Sequence, residues 1–294
     1  MPCSCSHDHD DGSETKNLGV VFALNFGFAI IELIGGILSN SVSLLSDALH
    51  DMGDALASAF AWVFAKIGQR KRSKNFSYGY KRFSLLSSLI NSLILIIGAV
   101  FMSILAIKRL QDPVEVQSKL MFLFAIFGVI VNGVAVWKIK KGRTLNEKVI
   151  SLHLLEDLLG WCAILIASVV IYFTDWFILD PIMALGISIW IFFHGLRSGS
   201  KATHLFFQGF PEGVDEAHLK KHLVALPEVV DVHDLHVWSL DGSKNVGSCH
   251  LVVESQKALV EIKQQARKIF SDHEIGHVTL EIEMRGEGCE LESC

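Results

Sequence analysis

The sequence predicts an α-helical membrane protein with six transmembrane helices, followed by a small α+β domain. Hydrophobic residues make up 51% of the 294 residues and charged residues only 19%. Most hydrophobic residues fall in runs of about 20, the length that crosses a bilayer. These runs stop near residue 203, and shorter segments with helical or strand spacing follow. The composition therefore excludes a wholly soluble or disordered protein.

The chain begins with a polar, acidic tail, predicted over 1–17, which lacks the basic start and the apolar run of a secretory signal peptide. A second tail is predicted over 286–294. Both tails contain side chains that could chelate cytosolic metal: Cys3, Cys5, His7, His9, Cys289 and Cys294. A solvated tail that binds no metal is the alternative. The cysteine spacing shows no disulfide framework and fits a reducing cytosol.

The transmembrane domain is predicted over 18–203. Its six spans are placed near 18–38, 43–67, 83–107, 119–139, 148–173 and 181–203. Lysine and arginine are concentrated after the second span, at 69–82, and after the fourth, at 140–143. Loops rich in these residues face the cytoplasm. Six spans then leave both termini in the cytoplasm.

The C-terminal domain is predicted over 204–285 as an open sheet with helices on one face, a ferredoxin-like or metallochaperone-like arrangement. Its elements follow the order α-β-β-α-β, at 214–226, 229–240, 246–254, 258–270 and 277–284. Helical spacing and strand alternation of the apolar residues support these assignments. Such a sheet could pair with that of a second copy.

Two predicted spans carry the same ionisable pattern. His50 and Asp54 in the second span, and His153 and Asp157 in the fifth, are each four residues apart and therefore share a helix face. Each charge in a span costs about 2.5–3.5 kcal/mol on insertion, so a function is expected. Two imidazoles and two carboxylates form an N2O2 shell that suits Zn²⁺ and neutralises its charge. The alternative is a pair of core histidines hydrogen-bonded to the aspartates.

Other polar side chains lie at membrane depth. Asp47 precedes His50 by three residues and is expected to line the metal path or to hydrogen-bond a ligand. Asn25 in the first span and Asn132 in the fourth are further candidates for the path. For these two residues and for Glu32, interhelical hydrogen bonding is the alternative. The net charge of −5 offers no basic field for nucleic acid, and no organic cofactor is predicted.

Four stretches of the sequence resemble the motifs of the cation diffusion facilitators, a family of zinc transporters. They are Ser43 to His50 with Asp54, Tyr78 to Arg82 with Asn91, His153 to Gly160, and His233 to Leu240. The resemblance extends from Leu18 to Met284. It implies a secondary transporter rather than an enzyme: a homodimer that exports Zn²⁺ in exchange for protons, by alternating between inward-facing and outward-facing states.

The resemblance also implies which residues bind metal. His50, Asp54, His153 and Asp157 correspond to the transport ligands. In the C-terminal domain, His233, His250 and Glu283, with Glu281 as a further candidate, match a regulatory zinc site at the dimer interface of some members. The loop after the fourth span lacks the histidine-rich run of eukaryotic vesicular members, which favours a bacterial plasma membrane.

Proton coupling is expected from the chemistry of the ligands. A metal binds only neutral imidazole and ionised carboxylate, so protons and Zn²⁺ compete for the site. The same shell also accepts Cd²⁺, Co²⁺ or Ni²⁺. Two other functions remain open: a membrane zinc sensor that signals without net flux, and a redox protein in which His50 and His153 bind a haem. The carboxylates four residues on disfavour the haem.

Overall fold

The computed structural model describes residues 11–68, 73–139, 145–255, 258–287 and 289. Six long helices come first, and each contains one of the six predicted spans. They are α1 (Asp11–Ser39), α2 (Val42–Gly68), α3 (Phe83–Gln111), α4 (Ser118–Ile139), α5 (Leu145–Thr174) and α6 (Leu179–Phe206). The described residues form two compact units, one from those within 1–63 and 90–198 and the other from those within 64–89 and 199–294.

Five helices of the described chain are long and apolar enough to cross a membrane: α1, α3, α4, α5 and α6. The exception is α2, which carries Asp47, Asp51, Asp54 and Lys66. These charges lower its apolarity although its 27 residues exceed the length that a span requires. The crossing of the membrane by α2 therefore stays a prediction.

A close contact between α4 and α5 helps to hold the helices of the first unit together. Gly128 on α4 faces the indole of Trp161 on α5 so closely that a Cβ atom at this glycine would lie 2.1 Å from Cδ2 of the tryptophan. Trp161 is itself buried, among Leu44, Met121 and other apolar residues. Only a glycine allows the two helices to approach this closely. The α4–α5 contact thereby positions the helix that contains Asp157.

A buried carboxylate joins α6 to the start of α2. Asp180, in the first turn of α6, accepts hydrogen bonds from Oγ of Ser41 (2.6 Å) and Oγ of Ser43 (2.6 Å). It also accepts from the backbone N–H groups of Val42 (2.7 Å) and Ser43 (3.2 Å). The first N–H groups of a helix lack partners within it, and a negative charge is favourable there. Asp180 satisfies both requirements and fixes where α2 begins.

The C-terminal domain shows the predicted order of elements. It consists of α7 (Glu216–Val224), β1 (Val229–Ser239), β2 (Asn245–Val253), α8 (Leu259–Asp272) and β3 (Ile275–Met284). The sheet order is β1-β2-β3, with β1 antiparallel and β3 parallel to β2. Ile262, Ala266 and Phe270 recur every four residues on α8 and are buried, because this face packs into the domain core.

A bulge interrupts β1 between His233 and His236. Asp234 lies within it and has a left-handed backbone, with φ 48°. Bulges redirect side chains and are common beside functional sites. Here the bulge follows directly after a predicted metal ligand.

Candidate metal sites

The two aspartates of the predicted transport site approach the same nitrogen of His50. The imidazole is buried on α2, and its Nε2 lies 3.9 Å from Oδ2 of Asp54 and 4.0 Å from Oδ1 of Asp157 on α5. Both distances exceed a hydrogen bond. They exceed by about 0.5 Å the N–O separation of about 3.4 Å in a tetrahedral zinc shell.

The remaining predicted ligand, His153, belongs to α5 one turn before Asp157. Its side chain lies outside the described residues. In a helix, residues four apart share a face, so its membership of the site stays a prediction.

A cavity of about 550 Å³ borders this site and is lined in part by Asp47, His50, Asp157 and Trp190. Asp47 is thus on the cavity wall, as its predicted place on the metal path requires. Asn132 is buried, and its amide donates to the carbonyl of Gly128 in its own helix, at 3.2 Å. Asn25 is half-buried on α1. The path role of these two asparagines stays a prediction.

Two ionisable neighbours of the site were not among the predicted ligands. His194 on α6 has its ring centroid 6.4 Å from that of His50, and Trp190 contacts the same imidazole edge-on at 5.1 Å. Glu32 on α1 is buried, and its charged neighbours are Asp51, Asp47 and Asp157. The rule that ionisable groups in spans are functional candidates applies equally to His194 and would have identified it.

A second site is formed by the sheet of the C-terminal domain. His233 on β1 pairs with His250 on β2, and Glu283 on β3 contacts both imidazoles. Nδ1 of His250 donates to Oε1 of Glu283 at 2.6 Å, and Nε2 of His233 lies 3.3 Å from Oε2. Cys289 completes the group, with its Sγ 3.5 Å from Nδ1 of His250. One ligand atom from each of the four residues lies within 4.8 Å of the others.

Two further carboxylates border this cluster. Asp234, in the bulge, and Glu281, on β3, each have an oxygen 3.6 Å from Nε2 of His250. The Glu281 side chain is 66% exposed, whereas that of Asp234 is 11% exposed. Glu281, predicted as a ligand, is therefore at the solvent edge. Asp234, which was not predicted as one, is in the better enclosed position.

Burial and neighbouring groups shift the pKa values of two side chains of this sheet, Cys249 and Glu283. Burial and the charge of Asp234 raise the pKa of Cys249 to about 12, so this core thiol is held in its protonated form. Burial alone would raise the pKa of Glu283, but hydrogen bonds from Cys289 and His250 and the charges of His233 and His250 outweigh it and lower the pKa. The Glu283 carboxylate is thus held in its ionised form, which metals bind.

Cys289 was predicted as a tail residue and is found beside His250 instead. The other predicted tail ligands, Cys3, Cys5, His7, His9 and Cys294, lie outside the described residues. The four-residue cluster offers two nitrogens, one oxygen and one sulfur, each a ligand type that zinc takes and together enough for tetrahedral coordination.

Comparison with known proteins agrees with both halves of the structure. Residues 18–206 match the family model of the cation efflux transmembrane domain, and residues 211–285 match that of the cation efflux protein cytoplasmic domain. A cadmium, cobalt and zinc/H⁺-K⁺ antiporter of Bacillus subtilis is 32% identical over 284 residues, covering 94% of this chain and 91% of the relative.

Two further relatives match this chain over a similar share of their length. The metal cation efflux system protein CzcD of Cupriavidus metallidurans is 32% identical, with 97% of this chain and 91% of the relative covered. The zinc transporter ZitB of Escherichia coli is 29% identical, with 97% and 95% covered.

Proposed function

The chain belongs to the cation efflux family, the cation diffusion facilitators, and we propose that it exports Zn²⁺ from the cytoplasm in exchange for protons by alternating access. It is a secondary transporter and not an enzyme. The observation that carries the proposal is the approach of two carboxylates, those of Asp54 on α2 and Asp157 on α5, to the same nitrogen of His50, at 3.9 and 4.0 Å. Cd²⁺, Co²⁺ and Ni²⁺ are further substrates of the same chemistry.

We assign His50, Asp54, His153 and Asp157 as the ligands of the transported ion. Two carboxylates balance the charge of a divalent ion, so the loaded site is formally neutral and tolerable at low dielectric. The distances of 3.9 and 4.0 Å from His50 to the aspartates are longer than a closed shell requires. Binding therefore shortens both distances, the one to Asp54 by side-chain rotation within α2 and the one to Asp157 across the α2–α5 contact, and release reverses this change. The absence of a thiolate from this ligand set keeps the ion exchangeable.

Protons replace the metal in the emptied site. When no ion is bound, His50 accepts a proton, and the carboxylates of Asp54 and Asp157 near its Nε2 stabilise the positive charge. A histidine titrates near pH 6.5 in the absence of neighbours, so the exchange operates in the physiological range. Asp47, on the cavity wall beside His50, provides a further carboxylate on the path. The antiporter name of the Bacillus subtilis relative supports this coupling.

The C-terminal cluster holds a different ion. His233, His250, Glu283 and Cys289 would bind a regulatory Zn²⁺, with Asp234 and Glu281 as neighbours. We further propose a homodimer with lipid around a six-helix transport domain (18–203) and with both termini and the C-terminal domain (204–285) in the cytoplasm of a bacterium. Exposed apolar side chains on the helices, such as Phe101, Leu123 and Phe193, fit this lipid environment.

The test is Zn²⁺ flux into proteoliposomes under an imposed pH gradient. Wild type should show gradient-dependent flux, and Asp157→Asn should lose it. Asp175→Asn is the matched control, because Asp175 is an exposed carboxylate just after the end of α5 and the substitution removes the same charge. Flux that does not depend on the pH gradient would contradict proton coupling. Zinc-dependent conformational change without flux in any variant would favour the sensor.

A further inference from the structure

Three histidines outside both sites meet on the surface of the C-terminal domain. His218 and His222 lie one turn apart on α7, and His273 directly follows the last residue of α8. Their ring centroids are separated by 4.3 Å (His218 to His222), 5.7 Å (His218 to His273) and 5.3 Å (His222 to His273). One ligand nitrogen from each ring lies within 4.8 Å of the other two.

The core of the domain holds these three rings together. Leu219 and Leu223, the residues that follow His218 and His222, are buried in the same cluster as Phe270 of α8. The start of α7 is also fixed, because Oδ1 of Asp215 accepts from the N–H groups of Ala217 (2.9 Å) and His218 (3.4 Å). The spacing of the rings therefore exists before any ligand binds, and little conformational entropy is lost on binding.

The imidazole ring of His273 is already oriented like that of a metal-binding histidine. Nδ1 of His273 lies 2.8 Å from the carbonyl oxygen of Ile269. A carbonyl only accepts, so Nδ1 carries the proton and Nε2 keeps its lone pair. Histidines that bind metals commonly donate their other N–H to a backbone carbonyl in this way, which fixes the tautomer and the ring orientation.

We propose that His218, His222 and His273 form a second metal site of the C-terminal domain, which binds Zn²⁺ or a similar divalent ion through three imidazole nitrogens. Imidazole suits Zn²⁺, Ni²⁺, Co²⁺ and Cu²⁺. Three protein ligands leave a coordination position for water, as in open rather than structural zinc sites.

The site differs from the cluster around Cys289 in charge and exposure. None of its three ligands is anionic, so the bound ion keeps its full charge. His218 and His222 are exposed, whereas His250 and Glu283 are buried. The three-histidine site therefore binds more weakly than the cluster and exchanges its ion with the surrounding solution. A bound ion also links α7 to the end of α8 and stabilises the domain by mass action.

Metal counting on the full-length chain in detergent tests this site. After equilibrium dialysis against excess Zn²⁺, His222→Gln should bind one ion per chain fewer than wild type, and His273→Gln should show the same loss. His277→Gln is the matched control, because His277 is an exposed histidine of the same domain outside the cluster. Equal counts in wild type and both variants would overturn the proposal.

Loading the protein with Co²⁺ in place of Zn²⁺ shows from which of the two sites the ion is lost. In His222→Gln the thiolate-to-cobalt charge-transfer absorption, which reports on Cys289, should remain at wild-type intensity while weaker ligand-field bands decrease. Loss of the charge-transfer absorption in this variant would assign the missing ion to the other cluster and contradict the proposal. Neither readout depends on flux, so the result stands apart from that of the transport test.

Discussion

The membrane site and the cluster of the C-terminal domain both contain two predicted histidines and at least one carboxylate, yet they differ in spacing. Nε2 of His50 is 3.9 and 4.0 Å from its carboxylates, which lie on two separate helices beside a cavity. Nδ1 of His250 is 2.6 Å from Glu283 and 3.5 Å from Cys289. The carboxylates of the first group stand off from the imidazole, whereas the second group is already joined by hydrogen bonds. Transport requires release, and a regulatory site requires retention.

The largest expected effect on stability comes from breaking the contact between Asp180 of α6 and the start of α2. Asp180→Asn replaces one acceptor oxygen with an amide that faces the N–H and hydroxyl donors at the start of α2. Hydrogen bonds to a charged group contribute about 1.5–3 kcal/mol each, so the loss of two should destabilise the protein by about 3 kcal/mol or more. Thermal unfolding in detergent measures this, and flux should fall with it.

Asp175→Asn makes the same chemical change at an exposed position and should leave the melting temperature unchanged. Equal stability of the Asp180 and Asp175 variants would mean that Asp180 does not hold α2 in place.

A smaller effect is expected from the α4–α5 contact. Gly128→Ala places a methyl group 2.1 Å from Trp161, and overpacking of this kind costs about 1–3 kcal/mol. Gly160→Ala is the matched control on α5, because an added Cβ there meets no atom within 4 Å. A higher melting temperature for Gly128→Ala than for Gly160→Ala would contradict the role of this contact in positioning Asp157.

The smallest effect is expected from chemical labelling of the thiols of the C-terminal domain, which changes no residue of the chain. An ordinary thiol with pKa near 9.0 is about 10% ionised at pH 8, but with its pKa raised to about 12 Cys249 is ionised roughly a thousandfold less. Peptide mapping after alkylation should therefore find Cys249 unlabelled and Cys289 labelled, with Zn²⁺ protecting Cys289. Unfolding in denaturant should make Cys249 reactive, because its side chain is fully buried in the folded domain. Equal labelling of Cys289 with and without Zn²⁺ would show that Cys289 is not a zinc ligand.

The parts of the molecule that could be predicted from sequence are those with local patterns. Apolar runs predicted the six helices, alternation predicted the strands, and the repeated His-x-x-x-Asp spacing predicted that His50 and Asp157 would meet. Cys289 could not be placed beside His250, because no periodic pattern connects the chain after β3 to the sheet. The pair His218 and His222 is visible as helical spacing, but the arrival of His273 depends on how α7 and α8 pack.

The central claim is that the membrane site moves zinc while the C-terminal cluster retains it. Two variants test it, each by Zn²⁺ flux into proteoliposomes under a pH gradient and by the zinc that the purified chain keeps after gel filtration in metal-free buffer. Asp54→Asn should lose flux by more than the roughly 10–100-fold that indirect ligand contacts contribute, and should keep the retained zinc. Cys289→Ser should lose the retained zinc and keep most of its flux. Loss of the same property in both variants would contradict the account.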